Sequence, residues 1–235
     1  MILPAPACES PPEDVPTFAV VAASPRDGDR DVFTTVRPFA TFNVPIDPAN
    51  VNGDLIRLRS GGLQPGGTVE YSVVDRSATF VPSVALRGGL AYEVIVEPSV
   101  RGIHGGTLAE PFTATFVTGV TAGEGPADPP VPGFDADAGP LLGLRCGSCH
   151  GGSSPSAAVA LDDAAAADAA IAANSAQWLS WRLVKPGAPE RSYLMYKIVA
   201  APGILGVAMP PGRPLAIDER RLLERWISAG ARTDD

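Results

Sequence analysis

The chain's chemistry concentrates in five consecutive residues, Cys146-Gly147-Ser148-Cys149-His150. Two thiols three positions apart, followed at once by an imidazole, have the Cys-x-x-Cys-His spacing of covalent haem c attachment. The spacing has a chemical reason. Two such thiols can add to the two vinyl groups on one porphyrin edge, and the adjacent histidine then faces the iron as proximal ligand. Competing chemistries fit less well. A redox dithiol belongs at the strand–helix junction of a βαβ unit, and no such unit surrounds these residues. A zinc site needs four ligands. Cys149 and His150 are adjacent, and Cys8 and His104 lie far away in sequence. His104 and His150 are the only histidines, which excludes a multi-histidine cluster and a multihaem protein. Three cysteines do not suggest a disulfide framework.

A sixth iron ligand has to come from elsewhere. His104 sits in Gly102-Ile103-His104-Gly105-Gly106, a turn in the other half of the chain, where an exposed polar residue is expected. Methionine is the alternative donor, and the choice is among Met1, Met195 and Met209. Met209 lies in the irregular segment Gly206-Val207-Ala208-Met209-Pro210-Pro211-Gly212, whose prolines stiffen the backbone and fix where the thioether points. Met195 lies within Ser192-Tyr193-Leu194-Met195-Tyr196, where a methionine reads as core filling. The expected axial pair is therefore His150 and Met209, with an open or water-filled sixth position as the alternative. Trp178, Trp181, Arg182, Tyr193 and Arg213 are candidates for the haem propionates, and plain packing is the simpler reading of the two tryptophans.

Two kinds of element have to position these residues. In the first half, Thr17 to Ala23, Phe39 to Val44, Leu55 to Leu58, Val69 to Val74, Ala78 to Val81, Tyr92 to Val96 and Phe112 to Thr118 are short and apolar. Several alternate with period two, and Gly-rich turns such as Gly61-Gly62 and Gly88-Gly89 separate them. Seven such strands predict an antiparallel sandwich. In the second half, helices are expected after Asp135 or Asp137, over Asp162 to Ala173, over Arg191 to Val199 and over Asp218 to Ala229. In the last of these Leu222, Leu223, Trp226 and Ile227 share one face, and Gly230 marks the stop. Ala216 offers no capping oxygen, which predicts a weak helix start. The Gly- and Pro-rich stretch between the halves reads as a linker. The expected division is a tether over 1–14, a sandwich over 15–119, a linker over 120–134 and a helical domain over 135–235.

Both halves carry a resemblance. The order SPRDGDRDV, TFNVPIDPANV, ATFVPSVALRGGLAYEVIVEPSVRG and FTATFVTG resembles a bacterial Ig-like domain of surface-layer type. That implies a spacer or adhesion module with no catalytic site of its own. Residues 135–235 resemble a monohaem class I cytochrome c domain. The resemblance runs through Arg145-Cys146-Gly147-Ser148-Cys149-His150-Gly151-Gly152, Val184-Lys185-Pro186-Gly187, Ala208-Met209-Pro210-Pro211-Gly212 and Leu223-Glu224-Arg225-Trp226-Ile227-Ser228-Ala229-Gly230. It implies an all-α fold holding one haem c and its iron, with the first helix crossing the last near Trp226. The Ala-rich stretch from Ala157 to Ala173 departs from that pattern.

Function and address follow as expectations. Bacterial haem c is attached outside the cytoplasm, so the protein should be exported to the periplasm or cell surface. The residues Met1 to Ala7 lack a basic region and a long enough apolar run for a signal peptide. Ala5-Pro6-Ala7-Cys8 resembles the tail of a lipoprotein signal, which makes a lipidated Cys8 the expected membrane attachment and an ordinary free thiol the alternative. A net charge of −8 and a pI near 4.8 argue against a nucleic-acid partner. The expected function is electron transfer to a redox partner protein, with the sandwich as spacer and no catalytic residue. The alternatives are a surface scaffold serving a larger complex, or a haem-based sensor or enzyme if the sixth position is open.

Overall fold

A computed structural model describes residues 17–123, 127–177 and 181–234. Cys8 and Trp178 lie outside the described residues. Seven strands form as the alternation predicts: β1 Val20–Ser24, β2 Phe39–Phe42, β3 Arg57–Arg59, β4 Gly67–Ser72, β5 Ser77–Pro82, β6 Ala91–Val96 and β7 Phe112–Val117. They pair antiparallel in two sheets, ordered β1-β2-β5-β4 and β3-β6-β7. Period two decides which side chains face inward. On β6, Tyr92, Val94 and Val96 are buried, and on β7 Ala114 and Phe116 are. Tyr92, Val94, Val96 and Phe116 meet Ala40, Phe42, Ala78 and Phe80 in one buried cluster. The Tyr92 and Phe116 rings stack with centroids 5.7 Å apart, and Phe18 stacks on Phe42 at 5.3 Å.

The second half holds four helices among the described residues: α1 Gly139–Cys146, α2 Ala164–Ala172, α3 Tyr193–Ile198 and α4 Ile217–Ser228. Their boundaries differ from the sequence reading for local reasons. The helical start expected at Asp135 or Asp137 is a π-helical turn, Phe134–Ala138, that leads into α1. The Asp137 carboxylate accepts the Gly133 N–H at 3.0 Å. This turn meets the last helix near Trp226, with the Phe134 ring 5.9 Å from that of Trp226. Asp163, not Asp162, caps α2, accepting the Ala166 N–H at 2.8 Å. The start of α4 has a substitute for its missing cap: Glu219 reaches back to the Ala216 N–H at 2.7 Å, the half of a capping box that an alanine permits. Gly230, at φ +110°, ends the helix in a conformation that favours glycine.

The stretch 120–134 leads from the sandwich to the helical half. Its described part is tied to the sandwich, where Thr35 Oγ1 donates to the Gly123 carbonyl at 2.9 Å and Arg37 binds Asp128 at 2.5 Å. Farther along, α4 packs directly on the turn between β4 and β5. Glu224 is only 7% exposed. Its carboxylate accepts the Ser72 hydroxyl at 2.8 Å and the Val73 and Val74 N–H groups at 2.5 and 3.2 Å. One turn earlier, Arg221 grips Asp75 through two hydrogen bonds of 3.2 and 2.8 Å.

Candidate functional site

The Cys-x-x-Cys-His motif straddles a helix end. Cys146 is the last residue of α1, and the next residues coil on: the Cys149 and His150 N–H groups both reach the Cys146 carbonyl, at 3.1 and 2.8 Å. The chain then reverses under tight constraint. A Cβ on Gly151 would lie 2.5 Å from the Gly147 carbonyl oxygen and 2.7 Å from the Asp162 carboxylate, so the turn admits only glycine there. Asp162, just before α2, holds this turn by accepting the Gly152 N–H at 2.8 Å.

The imidazole is oriented from the following strap of chain. His150 Nδ1 lies 3.0 Å from the Val159 carbonyl. The His150 carbonyl accepts the Leu161 N–H at 2.6 Å. An Nδ1–H donated to a carbonyl puts the lone pair on Nε2, the tautomer a metal requires.

One cavity of about 480 Å³ brings the expected residues together. Its lining includes Cys146, Cys149, His150 and Met209, with Leu144, Pro210 and Arg213. Met195 is elsewhere, fully buried in the core, as its setting in α3 predicts. The propionate candidates separate. Arg213 lines this cavity. Trp181 and Arg182 line a different one with Asp47 and Lys185. There Trp181 packs edge-on against Tyr196 at 4.9 Å. Tyr193 is buried and donates to Gln177 at 2.6 Å. His104 is exposed, as expected of its turn, and lies against the Gly203 backbone.

The residues suit a porphyrin chemically. Two unpaired thiols, an imidazole and a thioether face one space. Leu144 on its rim is 80% exposed, a large apolar side chain that a flat apolar ligand would cover. Two guanidinium groups, Arg145 and Arg213, stand on its wall for carboxylates. Burial raises the Cys146 thiol to about 11, against the smaller downward pull of Arg145. That is the reverse of the depressed pKa of a redox-active dithiol. Among the described residues, no group of three or more His, Cys, Asp or Glu converges on a point where a metal ion could be held by side chains alone.

Two positioning residues were not evident from the sequence. Arg145 donates to the Pro214 carbonyl at 3.1 Å and lies 3.5 Å from Glu219, so it ties the end of α1 to the Met209 segment and to α4. Lys197 brackets that segment. Its carbonyl accepts the Met209 N–H at 2.9 Å, and its ammonium donates to the Leu205 carbonyl at 2.8 Å. Only the cavity reveals these roles, because an arginine in a last helical turn and a lysine at a helix end are ordinary by themselves.

Residues 14–118 match the Big_5 family of bacterial Ig-like domains, so the first half is such a domain. Several solved structures overlap the chain. The S-layer protein rSbsC is 19% identical at a TM-score of 0.34, over 44% of this chain and 14% of its own. Mycobacterium tuberculosis L,D-transpeptidase 1 is 21% identical at 0.30, over 45% and 40%. CopC from Methylosinus trichosporium OB3b is 18% identical at 0.36, over 43% and 93%. This chain thus spans only a small part of the S-layer protein. No curated protein matches the chain. No helix among the described residues is long and apolar enough to cross a membrane.

Proposed function

We propose that residues 135–235 are a monohaem class I cytochrome c domain and that the protein carries electrons in the bacterial cell envelope. The observation that supports this most is the single cavity lined by Cys146, Cys149, His150 and Met209. Cys146 and Cys149 would hold the porphyrin edge through thioethers. His150, oriented by Val159, would present Nε2, and Met209 its sulfur. Haem so held supplies a one-electron couple, and a soft, neutral thioether raises its potential relative to a second imidazole. A methionine in the sixth position also keeps peroxide and oxygen out, which favours electron transfer over catalysis. Export fits a bacterial Ig-like domain and a haem attached outside the cytoplasm, and a lipidated Cys8 would give the anchor. The test is expression in a host that matures haem c. Denatured protein should keep its haem on a gel, and Cys146→Ala with Cys149→Ala should leave a haem-free chain. Release of haem by acid–acetone from the unmodified protein would falsify covalent attachment.

A further inference from the structure

The helix α4 stands between the sandwich and the cavity, and its two sides do different work. Arg221 and Glu224, three residues apart on one face, bind Asp75 and the β4–β5 turn. Its first turn holds the other side. Glu219 binds the Ala216 N–H and Arg145, and Arg220 Nε donates to the Leu215 carbonyl at 2.9 Å. Leu215 is buried and ends the segment that carries Met209. The opposite end of that segment follows α3, where the turn at Gly203 meets the sandwich's His104. A cavity between the two points is walled by Val73 and Val74 from the sandwich and by Ala200, Pro202 and Arg220 from the helical half. The Met209 segment is therefore strung between two places that the sandwich touches. The Cys-x-x-Cys-His turn is held instead by contacts within its own half, to Val159, Leu161 and Asp162.

We propose that the Ig-like sandwich is a structural part of the Met209 side of the cavity, and that Glu224 is the positioning residue that transmits its hold through α4. A buried carboxylate accepting one hydroxyl and two backbone N–H groups fixes a helix in rotation and along its axis, as a loose spacer contact does not. The two cavity walls then differ: the methionine segment is strung between two places the sandwich touches, whereas the histidine turn also has its own local contacts to Val159, Leu161 and Asp162. The spectroscopic arm of the test rests on the haem reading; the exchange arm does not.

The experiment uses the full chain. In the haem-free protein, amide hydrogen exchange is followed at Met209, whose N–H binds Lys197, and at His150, whose N–H binds Cys146. Glu224→Ala should speed exchange at Met209 at least about tenfold more than at His150, and Glu224→Gln, which keeps the acceptor for Val73 and Val74, should restore it. Arg221→Gln is the milder break if Glu224→Ala fails to fold, and should shift the same amide in the same direction. In haem-loaded protein, Glu224→Ala and Arg221→Gln should weaken the red charge-transfer band of a sulfur–iron(III) bond, and Glu224→Gln should keep it, while the covalent haem content stays unchanged. Equal acceleration at both amides, or none at either, overturns the proposal. If the wild-type chain carries no covalent haem, the haem reading fails, and the exchange result still decides the coupling.

Discussion

At His150 the imidazole is set by a carbonyl nine residues later in the chain, a partner that no motif could name. That Cys146, Cys149 and His150 share one place was legible because they are neighbours in sequence. The turn that follows was not, since the roles of Gly151 and Asp162 depend on one close approach. Gly151→Ala should therefore displace the turn and cost roughly 1–3 kcal/mol, read as a lower thermal midpoint. Met209 and Met195 offer a sharper contrast. On the proposed haem reading, Met209→Ala should abolish the sulfur–iron band, lower the potential and open the site to carbon monoxide or cyanide. Met195→Ala removes a fully buried side chain, so it should cost about 2–5 kcal/mol of stability while leaving those three properties nearly unchanged. Loss of the band in the Met195 variant alone would reverse the assignment.

The elements divide by how local their causes are. All seven strands were readable, because period-two alternation is recorded residue by residue; in β6 it puts Tyr92, Val94 and Val96 on the inner face. Helix starts were less readable, because caps depend on neighbours: Asp163 caps α2 while Asp162 binds Gly152, and Glu219 replaces the oxygen that Ala216 lacks. Phe116, stacked on Tyr92 and fully buried, should cost about 3–5 kcal/mol when replaced by alanine, measured by denaturant unfolding of the full chain. Helix α4 brings a pH dependence. Burial raises the Glu224 pKa, against its bonds from Ser72, Val74 and Val73, with Asp75 adding a smaller upward push. Arg221, Tyr71 and Tyr196 are the other titratable groups that feel this carboxylate. A folded state that holds this proton more tightly than the unfolded chain loses stability as pH rises above the ordinary 4.5. Glu224→Gln should flatten that fall in a series of thermal melts, leaving the share of Glu190, which burial also raises. An unchanged slope would exclude Glu224 as its source.

For the whole molecule, composition and the change from alternation to helical period were enough to separate a sandwich from a helical half. Their contact was not legible, because Glu224 pairs with groups about 150 positions away. Nothing in a helix sequence distinguishes that glutamate from a solvated one. The same contact gives the molecule a front and a back. One helix serves as a party wall, with the sandwich on its Arg221–Glu224 side and the cavity beyond Glu219. On the cavity rim Leu144 stands 80% exposed. The domain that reads along the chain as a separate spacer is, in space, one side of that wall, bonded to it through Asp75 and the β4–β5 turn.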